Sequence, residues 1–175
     1  MALLPLRALP RFPHASRASL ALVLLLAPAL VWAAKGPPNI IVFLADDLGW
    51  ADVGYHGGNI DTPAIDSLAA EGVRMERFYA TPICSPTRAA LMTGRDALKL
   101  GIAYDQLHPW YNGGLAPDEY LMAEAFRDAG YQTAMVGKWH LGHTQQHQLP
   151  NAQGFEEFYG HVHTNTDFYT HKRED

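Results

Sequence analysis

One cysteine, Cys84, is all the thiol this chain holds, and a single cysteine excludes an internal disulfide framework. Positive charge is scarce as well: 13 Lys and Arg against 18 Asp and Glu leave a net charge of −5. That balance argues against nucleic acid as a partner, because a phosphate-tracking protein needs a basic patch. Long single-sign charge runs, internal repeats and low-complexity segments are all missing. The main apolar run, residues 19–31, is too short for a comfortable bilayer span and is interrupted by Pro28. No stable membrane span is expected.

What precedes that run explains it. Arg7, Arg11 and Arg17 occur with no acid among them, and Val31-Trp32-Ala33 supplies small residues at a cleavage spacing. Residues 1–33 read as a secretory signal peptide, cut after Ala33 or Ala34. The paired arginines of a twin-arginine signal are absent. The mature protein is therefore expected to be secreted, periplasmic or lumenal. With 48% of the chain hydrophobic, enough apolar residues remain after cleavage for a core.

The mature chain alternates between strand-like and helix-like segments. Residues 39–45 are continuously apolar and β-branched, which reads as a strand buried on both faces. Asp46 and Asp47 follow it. Asp61 or Thr62 caps a helix that carries Pro63 in its first turn and stops at Gly72. Residues 73–80 alternate as a strand and deliver the chain to Cys84, where a second helix begins. A helix from Pro117 to Ala129 and a buried strand over 131–136 complete the pattern, and the strand leads into Lys138 and His140. Such alternation predicts an α/β fold with a mostly parallel sheet flanked by helices. The last residues carry no capped ending, so the reading expects a domain truncated at its C-terminus.

Polar residues gather where α/β sheets place ligands, at the carboxyl ends of strands. Asp46 and Asp47 are adjacent carboxylates that a cation would relieve of mutual repulsion, and hard oxygens suit Ca²⁺ or Mg²⁺. Cys84 at a helix start faces the positive end of the helix dipole, and Arg88 adds a cation one turn in. Lys138 and His140 lie two apart, on one side of an extended segment. A nucleophile, a divalent cation and positive groups around charged oxygens are what hydrolysis of an anionic ester requires.

Here the chain strongly resembles the sulfatase family of the alkaline-phosphatase superfamily. Cys84-Ser85-Pro86-Thr87-Arg88 matches that family's C-x-P-x-R core, continued by Leu91-Met92-Thr93-Gly94-Arg95. Residues 39–47 with Gly49-Trp50 match its first metal motif, and Gly137-Lys138-Trp139-His140-Leu141-Gly142 matches the second active-site motif. Gly154, Phe155 and Phe158 fit the segment that follows. The resemblance implies an alkaline-phosphatase-like domain beginning at residue 38 and running, incomplete, to 175. It implies that a formylglycine-generating enzyme converts Cys84 to formylglycine, and that Asp46, Asp47 and the modified Cys84 bind Ca²⁺. Arg88 would hold the formylglycine, Lys138 would neutralise a sulfate oxygen, and His140 would position or deprotonate a hydroxyl. The substrate implied is a sulfate-ester small molecule or a sulfated glycan.

The family's second pair of metal ligands and a further lysine and histidine lie downstream in its members, and none is identifiable here. Asp167 is the nearest late acid, but Thr166 and Phe168 do not fit that motif. Two other readings follow. One is a truncated, non-catalytic product. The other is a phosphodiesterase or phosphonate hydrolase of the same superfamily.

Overall fold

The computed structural model describes residues 36–164, 166–167 and 169–172. The expected signal peptide, residues 1–33, lies outside the described residues. The chain divides into two units, Met1–Ala45 and Asp46–Asp175. In the first, residues 36–45 form neither helix nor strand, and Ile41 and Phe43 are 75% and 85% exposed. This corrects the strand expected over 39–45. An apolar run becomes a buried strand only when neighbours take up its N–H and C=O groups, and the sheet among the described residues has two strands, neither of them this one.

The second unit opens with a single 3₁₀ turn, Gly54–His56, and helix α1, Pro63–Glu71. The predicted boundaries of α1 hold: Thr62 stands at the N-cap and Pro63 in the first turn. Thr62 Oγ1 accepts from the Gly54 N–H at 2.8 Å and donates to Asp66 Oδ1, and Asp66 Oδ1 accepts from the Tyr55 N–H. The 3₁₀ turn is thus tied to the start of α1. Residues 73–80 form no strand. Their alternation lacks a buried face, since Val73, Met75, Phe78 and Tyr79 are all exposed.

Helix α2 spans Cys84–Thr93 and ends at Gly94, whose φ of 66° is the left-handed conformation that closes a helix without Cβ strain. Ser85, Ala89 and Met92 recur at helical spacing and are buried. They face a core made with Ile102, Leu107, Leu115, Leu121, Trp139, Leu141 and Phe155. Helix α3 is shorter than expected, Met122–Asp128 rather than 117–129. Residues 116–119 turn tightly, with the Glu119 N–H on the Ala116 carbonyl, and the fully buried Leu121 is extended at φ −96°, ψ 155°. Glu124 accepts from the Leu121 N–H at 2.9 Å and closes the first turn.

Strand β1 is Ala134–Lys138, starting three residues and ending two residues later than the predicted 131–136. It pairs in parallel with β2, Glu157–His161, in the register Met135 with Phe158, Gly137 with Gly160 and Lys138 with His161. The sequence pattern predicts no strand over 157–161. The sheet buries one face only: Met135 and Phe158 pack on the core, whereas Val136 and Tyr159 stand 80% and 77% exposed. Between the strands run two 3₁₀ turns, Gln146–Gln148 and Pro150–Gln153. They are held under Trp139, whose indole N–H donates to the Gln148 carbonyl at 2.8 Å and whose ring meets Phe155 edge-on. The architecture is α/β with a parallel strand pair, as expected. Among the described residues no helix is long and apolar enough to cross a membrane.

Candidate active site

Cys84 is the first helical residue of α2, and Arg88, one turn on, projects from the same face. The Cys84 thiol is half-buried and donates to Gln106 Oε1 at 3.6 Å. Ser85 is fully buried, and its Oγ accepts from the Leu107 N–H at 3.0 Å. The Arg88 side chain is 7% exposed. Its Nη1 donates to the Lys138 carbonyl and its Nη2 lies 3.3 Å from Asp46 Oδ1. Arg88 Nε is buried, with no partner among the described residues. A buried guanidinium donor left unmade is costly, so an acceptor reaching this N–H would be held strongly.

Lys138 closes β1, and its Nζ donates to Asp46 Oδ2 at 2.8 Å. Two cations therefore meet one carboxylate, each on its own oxygen. Burial by itself raises the Asp46 pKa; the Lys138 hydrogen bond and charge, with the charge of Arg88, overcome that and hold it below 3.8. Three residues from three separate stretches of sequence, Asp46, Arg88 and Lys138, are thus brought into one contact.

His140 departs from the predicted arrangement. The strand ends at Lys138, and His140 takes φ +63°, so the two side chains do not share an extended face. Lys138 reaches Asp46, whereas His140 is fully buried and its Nε2 lies 2.9 Å from the Leu107 carbonyl. A carbonyl only accepts, so Nε2 carries the proton and Nδ1 a lone pair, which no group among the described residues engages. Burial lowers the His140 pKa to about 4 against the pull of that hydrogen bond, and the charges of Lys138 and Arg88 add to the lowering. At neutral pH the ring is uncharged.

Asp47 is exposed, at φ +57°. The carboxylate oxygens of Asp46 and Asp47 are the hard donors that Ca²⁺ takes, but Ca²⁺ calls for six to eight oxygens. Among the described residues no group of three or more His, Cys, Asp or Glu could hold a metal ion. Both oxygens of Asp46 already face Lys138 and Arg88. The donor type fits the ion, and the number of donors in these residues does not complete its shell.

Two further contributors lie in loops that the sequence marks as shaping specificity, 105–112 and 161–171, but carry no motif of their own. Gln106 touches Cys84 across 22 positions of chain, a contact with no local signal. His161 stands opposite Lys138 in the β1–β2 register. Burial first, then the charges of Lys138 and Arg88, lower its pKa. The parallel pairing continues past the strands, with the Trp139 and His140 N–H groups on the His161 and Val162 carbonyls.

Residues 38–175 match the Sulfatase family. The chain belongs to the sulfatase family. It is 41% identical to arylsulfatase J of Mus musculus over 139 residues, which is 79% of this chain and 23% of that protein. It is 43% identical to N-acetylgalactosamine-6-sulfatase of Sus scrofa over 155 residues, 83% of this chain and 30% of the relative. Among solved structures, Ps i-CgsB superposes with a TM-score of 0.70 at 40% identity, covering 74% of this chain and 29% of that one. A second structure of Ps i-CgsB holds k-i-k-neocarrahexaose and superposes with a TM-score of 0.65 over 70% of this chain and 27% of that one. The chain thus spans less than a third of the length of these sulfatase relatives. Its fold class is theirs, the alkaline-phosphatase-like α/β arrangement.

Proposed function

We propose that the protein is a sulfuric ester hydrolase acting on sulfate esters, with Cys84, Arg88, Lys138 and His140 at the reaction centre and Asp46 and Asp47 as metal ligands. The observation that carries this reading is the meeting of Arg88 and Lys138 on Asp46 beside the start of α2, within a chain of the sulfatase family. Two cations against one carboxylate leave a positive surplus suited to an anionic ester, and both side chains are largely withdrawn from water, where charge acts more strongly.

When present, a formylglycine derived from Cys84 supplies a hydrated aldehyde nucleophile, and Ca²⁺ on Asp46 and Asp47 supplies Lewis-acid polarisation. The remaining tasks fall to the chain's own residues. Lys138 and Arg88 bind and orient the charged oxygens of the ester. The Arg88 Nε–H, unpartnered among the described residues, would donate to a formylglycine at position 84. His140, uncharged and carrying its lone pair on Nδ1, accepts a proton there, while Nε2–H on the Leu107 carbonyl fixes the ring. From residues 1–33 we place the protein on the secretory route, where a formylglycine-generating enzyme meets it.

The test is turnover of an aryl sulfate by the purified protein, set beside a matched phosphate diester. Sulfate hydrolysis that disappears in Cys84→Ala and falls on chelation supports the reading, together with a hydrazide-reactive aldehyde in the Cys84 peptide. Preference for the phosphate diester moves the protein to the phosphodiesterase branch. A fully alkylatable thiol with no turnover overturns the proposal.

A further inference from the structure

Gln106 stands in a stretch that is neither helix nor strand, yet it is tied down on both sides. Its N–H donates to Asp105 Oδ1 at 2.8 Å, and Asp105 Oδ2 lies 3.3 Å from His108 Nε2. The next residue, Leu107, donates its N–H to Ser85 Oγ at 3.0 Å, and its carbonyl accepts from His140 Nε2 at 2.9 Å. The Leu107 side chain is buried in the core. One peptide segment is therefore fastened at once to the neighbour of Cys84 and to His140. Held this way, Gln106 meets the Cys84 thiol with its Oε1 at 3.6 Å.

This support is out of proportion to the bond it serves. A thiol is a weak donor, and an S–H···O contact is a second-order interaction. A hydroxyl in the same place is a full donor, with an ordinary O···O distance of about 2.7–2.8 Å. The Gln106 acceptor thus suits an O–H at position 84 better than the S–H. A side chain at the first position of a helix has several staggered χ1 choices, and an acceptor fixed outside the helix selects one of them. The other groups gathered at the site leave this task open. Arg88 and Lys138 only donate, and both Asp46 oxygens face those two cations. Gln106 Oε1 is an acceptor separate from His140 Nδ1, so two hydroxyls carried at position 84 would find two different acceptors.

We propose that Gln106 is a positioning residue for sulfate-ester hydrolysis: its Oε1 accepts an O–H of the modified side chain at position 84 and fixes the rotamer from which that side chain reacts, leaving His140 Nδ1 for the proton of the reacting hydroxyl. The inference rests on the sulfatase reading and adds a residue to its reaction centre. Because Gln106 is fastened through Leu107 to Ser85 and His140, the acceptor is in place before substrate arrives.

Two measurements on the full chain test this. The first needs neither the modification nor turnover. Gln106→Leu is introduced into Cys84→Ser and into Cys84→Ala, and chemical denaturation midpoints are compared. The change should lower the midpoint more in the serine background, which supplies an O–H donor, than in the alanine background, which supplies none. Equal shifts overturn the proposal and leave the sulfatase reading standing.

The second is steady-state hydrolysis of an aryl sulfate, expressed per aldehyde-bearing protein. Gln106→Leu should lower kcat by about tenfold to a hundredfold with KM nearly unchanged, because Lys138 and Arg88 still bind the ester. Gln106→Glu keeps an acceptor at the same reach and should restore most of kcat, while its charge repels the anionic ester and raises KM. A glutamine that only supports the loop would show no such split. An unchanged kcat in Gln106→Leu, or a Gln106→Glu enzyme with kcat as low as Gln106→Leu, overturns the positioning role with the sulfatase reading intact. If the wild type hydrolyses no sulfate ester, that reading fails and the positioning role fails with it, whatever the midpoints show.

Discussion

Lys138 Nζ and Asp46 Oδ2 are joined at 2.8 Å across 92 positions of chain. The pair shares its carboxylate with Arg88, so it has a measurable titration consequence. Burial pushes the Asp46 pKa up, and the two cations more than reverse it. A carboxyl held below its unfolded value of 3.8 stabilises the fold above that pH, and the contribution is lost as pH falls through the folded value. In Lys138→Met the Asp46 midpoint moves up, read from its side-chain carbon shift. The same change should lower sulfate-ester turnover by about a hundredfold or more. An unmoved midpoint would show that Lys138 does not govern this carboxylate.

His140 titrates in the same direction, over a higher pH window. Desolvation lowers its folded pKa to about 4 from 6.5. Between those values the unfolded chain binds a proton that the folded chain refuses, so stability is full above 6.5 and declines as pH falls toward 4. The slope from this one group is at most about 1.4 kcal/mol per pH unit. Denaturation midpoints followed over that window should show a proton's worth of dependence that His140→Gln removes. Equal slopes in the two proteins would contradict the buried, neutral assignment.

Ser85 connects α2 to the loop that carries Gln106. Its Oγ is the acceptor for the Leu107 N–H, and the residue is fully buried. Ser85→Ala leaves that N–H unpaired, at about 1–3 kcal/mol. Chemical denaturation reads the loss. Limited proteolysis should also open residues 105–112 faster than in wild type. No change in either would mean the loop is held without this bond.

Gly160 faces Gly137 across the strand pair. A Cβ on Gly160 would collide with the Gly137 carbonyl oxygen, a backbone atom that cannot yield without parting the strands. Gly160→Ala should cost about 1–3 kcal/mol or more and reduce turnover, because Lys138 is the next residue on the displaced strand. Tyr159→Thr, at a position 77% exposed, stays within about 0.5 kcal/mol. Stability equal in the two variants would refute the close approach.

Parts of this were legible along the chain. The boundaries of α1 follow from Thr62, Pro63 and Gly72, each of which acts on its own few neighbours. The start of α2 at Cys84 and its end at Gly94 are local in the same sense. The run at 39–45 and the alternation at 73–80 misled, because strand formation depends on a partner ladder rather than on composition. Strand β2 was passed over for the converse reason: Glu157, Tyr159 and His161 carry no apolar alternation, and the pairing with β1 alone makes the segment a strand.

By itself the sequence determined which residue types stand at the candidate site. Asp46, Cys84, Arg88, Lys138 and His140 stand in motifs whose spacing is local, and a helical turn suffices to align Cys84 with Arg88. Only the tertiary structure decided how they are shared out. Lys138 and Arg88 close on Asp46, whereas His140, turned inward at φ +63°, is buried against Leu107. Gln106 reaches Cys84. These are contacts between segments tens of residues apart. They depend on how the core packs, and no short-range pattern encodes that.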